Sequence, residues 1–136
     1  CMLGAEKQKA WLSDQSFAKK FGFTAMDRTG NGYELLALSF DGSVPHFAAG
    51  TKQMTVDAKG LTVYYDIQCP YIPQRVEKLR DHCASNGIPA EFILVDSLEK
   101  AKALPCVFKN WAVFYDGKFV TVNQIDAAML EKLIKR

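Results

Sequence analysis

Along residues 71–83 apolar side chains return at Ile72, Val76, Leu79 and Cys83, at spacings of four, three and four, with Gln74, Glu77, Lys78 and Asp81 on other faces. That period predicts an amphipathic helix. Pro70 and Pro73 suit its first turn, where a missing N–H costs nothing, and Gly87 followed by Pro89 ends it. Before it, "LTVYYDI" is a nearly continuous apolar and β-branched run, the pattern of a strand buried on both faces. "AEFILVD" follows as a second strand, so strand, helix and strand make a right-handed crossover with parallel strands. Asp96 and Glu99 form a capping box for a short helix in "SLEKAKAL". "WAVFYDGKFVTV" predicts a hairpin about a primed turn at Asp116-Gly117. The last helix, in "IDAAMLEKLIKR", is capped by Asp126 and carries Met129, Leu130, Leu133 and Ile134 as its buried stripe. The order from residue 60 onward is β-α-β-α-β-β-α.

The N-terminal part follows a different pattern. A short strand in "CMLGA" precedes "WLSDQSFAKKFGF", where Ser13 or Asp14 can cap a short helix, Phe17 and Phe21 share a face, and Gly22 supplies a left-handed stop. Two strands, "FTAMDR" and "YELLALSF", are separated by the turn residues "TGNG". This part reads β-α-β-β. Between the two parts, residues 41–59 lose any period and carry small turn formers, so they are expected to be a linker. The predicted organisation is 1–40, a linker over 41–59, and a second domain over 60–136, α/β throughout.

Composition narrows the functional classes. The 136-residue chain is long enough for one good core without excluding two small units. Its net charge of +2 is spread over interspersed charges rather than a basic block, so neither a nucleic-acid nor an anionic-membrane partner is indicated. No apolar run approaches the roughly 18 residues of a membrane span, and the opening lacks the charged-then-apolar order of a secretory signal. A cytoplasmic location is expected, as is an origin as an internal fragment.

The four cysteines, Cys1, Cys69, Cys83 and Cys106, contain no C-x-x-C, so reduced thiols are the default. Cys83 lies on the apolar helix stripe and reads as a small buried hydrophobe. Cys69 sits where a strand runs into a helix, and a thiol there feels the positive end of the helix dipole, which favours the thiolate. With Ile72 in the place of a second cysteine, dithiol chemistry is disfavoured. A monothiol route through a mixed disulfide with a small thiol stays open, as does Cys69 as an inherited element of a binding module. His46 and His82 have no partners at metal-ligand spacing, so no metal is expected. Tyr64, Tyr65, Trp111, Phe114 and Tyr115 read as core, and Lys7, Lys9, Lys19 and Lys20 as a solvated face.

The second part resembles the thioredoxin fold, and "CPYI" at Cys69 to Ile72 is similar to the C-P-Y-C of glutaredoxins. "YYDIQCPYI" and "LPCVFKNWAVFYDGKFVT" are similar to the YoaP-like domain found at the C-terminus of some bacterial acetyltransferases. Residues 11–40, with "SDQSFAKKFGF" before two strands, resemble the C-terminal third of a GNAT N-acetyltransferase. The resemblance implies a fused protein, with acetyltransferase first and thioredoxin-like module second. It implies acetyl-CoA for the parent family, a small-molecule or peptide amine as substrate, and packing of the N-terminal part against a missing GNAT portion or a second copy of the chain. No Q/R-x-x-G-x-G/A turn is present to cradle the pyrophosphate, so this chain alone is expected to bind no acetyl-CoA. Ala18 follows Phe17 where the family often has a tyrosine acid. In thioredoxin-like proteins a cis-proline faces the active cysteine; Pro105 can take that place, which would bring Cys106 towards Cys69. The alternative is that Cys106 is a loop cysteine. Cys69 as the thiol, with Tyr71, Pro105 and Cys106 around it as substrate contacts, is the candidate site.

Overall fold

Leu61, Val63 and Tyr65 alternate with Thr62 and Tyr64, and both sets have apolar partners to meet. A run of this kind can be buried on both sides only at the centre of a covered sheet, and that is where it lies. The structure is a computed structural model describing residues 1–7 and 15–136. They form two compact units, Cys1–Gln53 and Met54–Arg136. Unit 1 contains β1 (Met2–Ala5), α1 (Ser16–Lys20), β2 (Thr24–Arg28) and β3 (Tyr33–Ala37). Unit 2 contains β4 (Leu61–Tyr65), α2 (Tyr71–Ser85), β5 (Ala90–Leu94), α3 (Leu98–Lys102), β6 (Trp111–Tyr115), β7 (Lys118–Thr121) and α4 (Ala127–Ile134). Both element orders agree with the sequence reading.

In unit 2 the strand order is β5-β4-β6-β7, with β4 parallel to β5 and antiparallel to β6, and β7 antiparallel to β6. One face holds Leu61, Val63, Trp111 and Val113 against the α2 stripe Ile72, Val76, Leu79 and Cys83, and against Leu130 of α4. The other face holds Cys106, Ala112 and Phe114, with Met54, Val56, Tyr64 and Phe119 packed on them. There the Tyr64, Phe114 and Phe119 rings meet edge to face at 5.8 and 5.6 Å. Asp116 and Gly117 both have positive φ, as a primed hairpin turn requires. Gly60 is needed where β4 begins: φ is +80°, and a Cβ would stand 2.3 Å from the Pro89 carbonyl oxygen.

Two local expectations change. The cap of α3 is Ser97, whose Oγ accepts the Lys100 N–H at 3.2 Å. Asp96 instead pairs with the Lys100 ammonium at 2.8 Å, so the predicted box is displaced by one residue. Asp126 does cap α4, accepting the Met129 N–H at 2.8 Å, but only Leu130 of that helix is buried. Leu133 is half-buried, while Met129 and Ile134 face solvent, since an eight-residue helix at the margin presents one narrow edge to the core.

The stretch 41–59, expected as a linker, is divided between the units and bonded within each. Asp27 accepts the Phe47 N–H at 2.8 Å and pairs with the Lys52 ammonium, which holds the first portion on β2 of unit 1. In unit 2, the Val56 N–H donates to the Gly117 carbonyl at 2.9 Å and the Phe119 N–H to the Met54 carbonyl at 3.2 Å. Turn-forming composition hid these anchors, because each partner is distant in sequence.

The sheet of unit 1 has the order β1-β3-β2 and is antiparallel throughout, with a bulge between Ala25 and Asp27 in β2. Gly22, at φ +86°, ends α1 as expected, with its N–H donated to the Lys19 carbonyl. The expected cap at Ser13 or Asp14 lies outside the described residues, as does Lys9. Phe17 and Phe21 share a face, with ring centroids 5.1 Å apart, but that face is in solvent.

Candidate functional site

The carboxyl ends of β4 and β5 are where a parallel strand pair leaves room for a ligand, and the chemistry of unit 2 gathers there. After Tyr65 the chain turns at Asp66, whose Oδ1 accepts the Gln68 N–H at 3.1 Å and so fixes the loop leading to Cys69. Its Oδ2 receives the Lys109 ammonium at 3.2 Å. The Asp66 side chain is only 6% exposed, while Lys109 keeps about half its surface in water, at 48%. The β4–β6 register, with Tyr65 opposite Trp111, brings these two together, and the Asp66 N–H donates to the Asn110 carbonyl at 3.3 Å. A cavity of about 390 Å³ opens beside the pair, lined also by Ile67, Gln68, Leu98 and Ala101.

Cys69 lies at the other end of this loop. It is half-buried against the α2 side of the core, its carbonyl accepts the Ile72 N–H at 3.1 Å, and Pro70 stands at the N-cap of α2. Tyr71 opens the helix and is exposed. Cys69 and Tyr71 are thus neighbours, as their spacing required.

Pro105 and Cys106 make their own contacts with other segments. Pro105 is trans and buried, and its carbonyl accepts the Met54 N–H at 3.0 Å. Cys106 packs with Ala112 and Phe114 on the sheet face opposite to the one that Cys69 touches. Its Sγ donates to the Phe108 carbonyl at 3.3 Å, and burial pushes the thiol up to about 11. The β-sheet therefore separates the two sulfurs, and Cys106 is a buried structural thiol. Burial also raises the Cys83 thiol.

Residues 89–132, from the start of β5 into α4, match the model of the YoaP-like family. That match lies within unit 2. The chain is also 31% identical over 134 residues to a protein of Bacillus subtilis (strain 168) named uncharacterized N-acetyltransferase YoaP. That similarity covers 97% of this chain and 53% of the relative, so the chain spans about half the relative's length. No solved structure matches. Within the YoaP-like match lie Pro105, Cys106 and Lys109; Asp66, Cys69 and Tyr71 precede it.

Asp66 and Lys109 were the residues missed in the sequence. A carboxylate closing an apolar strand run, "TVYYD", is a signal, since the side chain must be buried or turned out at the strand's end. Lys109 becomes its partner only through the β4–β6 register. Among the described residues no group of three or more His, Cys, Asp and Glu side chains could hold a metal ion. No described helix is long and apolar enough to cross a membrane.

His46 is exposed, with Nδ1 4.0 Å from Asp27 Oδ2, and His82 Nε2 lies 3.6 Å from Glu131 Oε1.

Proposed function

We propose that this chain is the C-terminal section of a GNAT-type N-acetyltransferase, with unit 2 as an appended thioredoxin-like module that recognises or positions the amine substrate. The carrying observation is that the similarity to a protein named N-acetyltransferase runs over 97% of the chain, and so through both units. The β-α-β-α-β-β-α order and the β5-β4-β6-β7 sheet support the thioredoxin-like reading of unit 2. The β-α-β-β order of unit 1 supports its reading as the end of a GNAT fold.

Unit 1 does not fit the pyrophosphate of acetyl-CoA. Such a cradle needs backbone N–H groups of a Gly-rich turn at a helix N-terminus. Here Gly22 closes α1, Gly30 and Gly32 turn β2 into β3, and Gly4 lies in β1 beneath Leu36. Acetyl-CoA would be held by the N-terminal portion of the full protein. Phe17, Phe21 and Phe40, all in solvent, fit packing against that portion, the relative being about twice this chain's length.

The test is to express the full reading frame and the same protein without residues 54–136. Acetyl-CoA binding should survive the truncation, while KM for the amine rises at least about tenfold, near 1.4 kcal/mol of lost recognition. Equal KM values would remove the recognition role.

A second reading, monothiol exchange at Cys69, is favoured by one observation: Cys69 is half-buried at a helix start, whereas Cys83 and Cys106 are buried. It requires that iodoacetamide at neutral pH modify Cys69 well ahead of those two in the folded chain. Equally slow modification of all three would rule it out.

A further inference from the structure

We propose that the cavity at the carboxyl ends of β4 and β5 binds a small primary ammonium ligand, its charge on the Asp66 carboxylate and its apolar body against Ile67 and Leu98. The proposal deepens the recognition role given to unit 2 above, on which its biological meaning rests, by naming the ligand class and the residues.

Four observations converge on it. First, Asp66 is a carboxylate taken almost wholly out of water at the wall of an open cavity. A carboxylate offers about four lone-pair positions, and its two bonds, from the Gln68 N–H and the Lys109 ammonium, leave acceptor capacity on a residue that lines the cavity. Second, a further carboxylate, Asp96, lines the same cavity. The Lys100 ammonium beside it is held by Asp96 at 2.8 Å and by the Leu94 carbonyl at 3.2 Å. Third, Lys109 is the one cation among the described residues lining the cavity, and it is already committed to Asp66. An anion would meet two carboxylates and a lysine already paired, whereas an ammonium would meet two carboxylates whose lone pairs are not all taken by their lysines. Fourth, Ile67 is 67% exposed and Leu98 64%, so the polar wall has an apolar rim that an alkyl body can cover. A cavity of about 390 Å³ suits a small ligand rather than a protein segment.

The experiment is an NMR titration of the whole chain with n-butylamine, protonated at neutral pH, and in parallel with N-butylacetamide and butyrate. The amine alone should give saturable shifts at the amides of Ile67, Gln68, Ser97 and Leu98. Asp66→Asn, which keeps the shape, should weaken binding at least about tenfold. Ala101→Phe, which fills the cavity from the half-exposed face of a short helix and leaves the core alone, should do the same. Equal binding of the amide would reduce the site to an apolar slot, and preferential binding of butyrate would invert its charge preference. Either result overturns the proposal, as do amine shifts that fail to saturate or that persist in both variants. The titration measures binding and no acetyl transfer, so a failure of the acetyltransferase reading would leave its outcome, and the site, unchanged. Absence of binding would sink the site alone.

Discussion

The strands of unit 2 keep their large aromatic side chains buried or half-buried, and unit 1 leaves three of its phenylalanines in water. Phe114 and Trp111 are 0% and 2% exposed, whereas Phe17, Phe21 and Phe40 are 70%, 63% and 92% exposed. The difference follows from what each sheet has to pack against. The four strands of unit 2 are covered by α2 and α4 on one side and by the Met54–Val56 segment with Phe119 on the other. Among the described residues, the three strands of unit 1 have one five-residue α-helix and a single 3-10 turn at Ala49–Lys52. Charge does some of the holding there instead: Arg28 pairs with the fully buried Glu34 at 3.1 Å, and Asp27 clamps the following loop. Packing defines unit 2, while unit 1 leans on polar anchors and leaves Phe17, Phe21 and Phe40 exposed.

The largest effect should come from the core of unit 2. Phe114→Ala removes a side chain that bridges Tyr64 and Phe119, and should cost about 3–5 kcal/mol. Urea denaturation followed by Trp111 fluorescence measures the loss. If each compact unit folds by itself, amide signals of β1 to β3 persist after unit 2 has melted. Simultaneous loss would break the comparison at its root.

A smaller effect distinguishes how unit 2 holds its margin. Ser97→Ala deprives α3 of its cap and should cost about 1 kcal/mol. Asp96→Ala removes only an exposed ion pair with Lys100 and should cost less than about 0.5 kcal/mol. The reverse order would restore Asp96 as the cap.

That one-residue displacement shows what could be read in advance. Periodicity decided the element order, because Ile72, Val76, Leu79 and Cys83 can share a face only on a helix and "WAVFY-DG-KFVTV" can only fold back on itself. What lay hidden depended on registers between distant segments. Asp66 and Lys109 are 43 positions apart, and nothing near either one announces the other. The choice between Cys106 as a loop cysteine and Cys106 as a partner of Cys69 was hidden in the same way: Cys106 packs with Ala112 and Phe114 while Cys69 packs on the α2 side, and the one-dimensional pattern around Pro105 is the same for either face. The anchoring of residues 41–52 by Asp27 was equally invisible, since a loop rich in turn formers looks alike whether free or fastened.

The polar anchoring of unit 1 can be tested by pH. Asp27 is lowered from 3.8 to about 2, chiefly because Lys52 hydrogen-bonds its carboxylate, with the Phe47 and Arg28 N–H groups adding to the effect. A depressed carboxylate stabilises the fold fully above its unfolded value and loses that contribution as pH falls through its folded value. The Phe47 amide should therefore stay protected down to about pH 4 and be released with a midpoint near 2. Release at pH 5 would mean that Asp27 does not hold the loop. Asp27→Asn should abolish the midpoint.

The smallest stability effect should carry the most information about partners. Phe17, Phe21 and Phe40 bury little, so replacing each with Ser should change the stability of unit 1 by no more than about 0.5 kcal/mol per site. The same changes should lower self-association, because exposed aromatic side chains are what a second copy, or the acetyltransferase portion, would cover. Sedimentation of the wild-type chain and the triple variant over a range of concentrations separates these outcomes. A concentration-dependent wild type and a monomeric variant of equal stability would establish the face as an interface. A substantial loss of stability would show that these rings hold unit 1 together despite their exposure, and the contrast between the two units would then lie in how tightly each is packed.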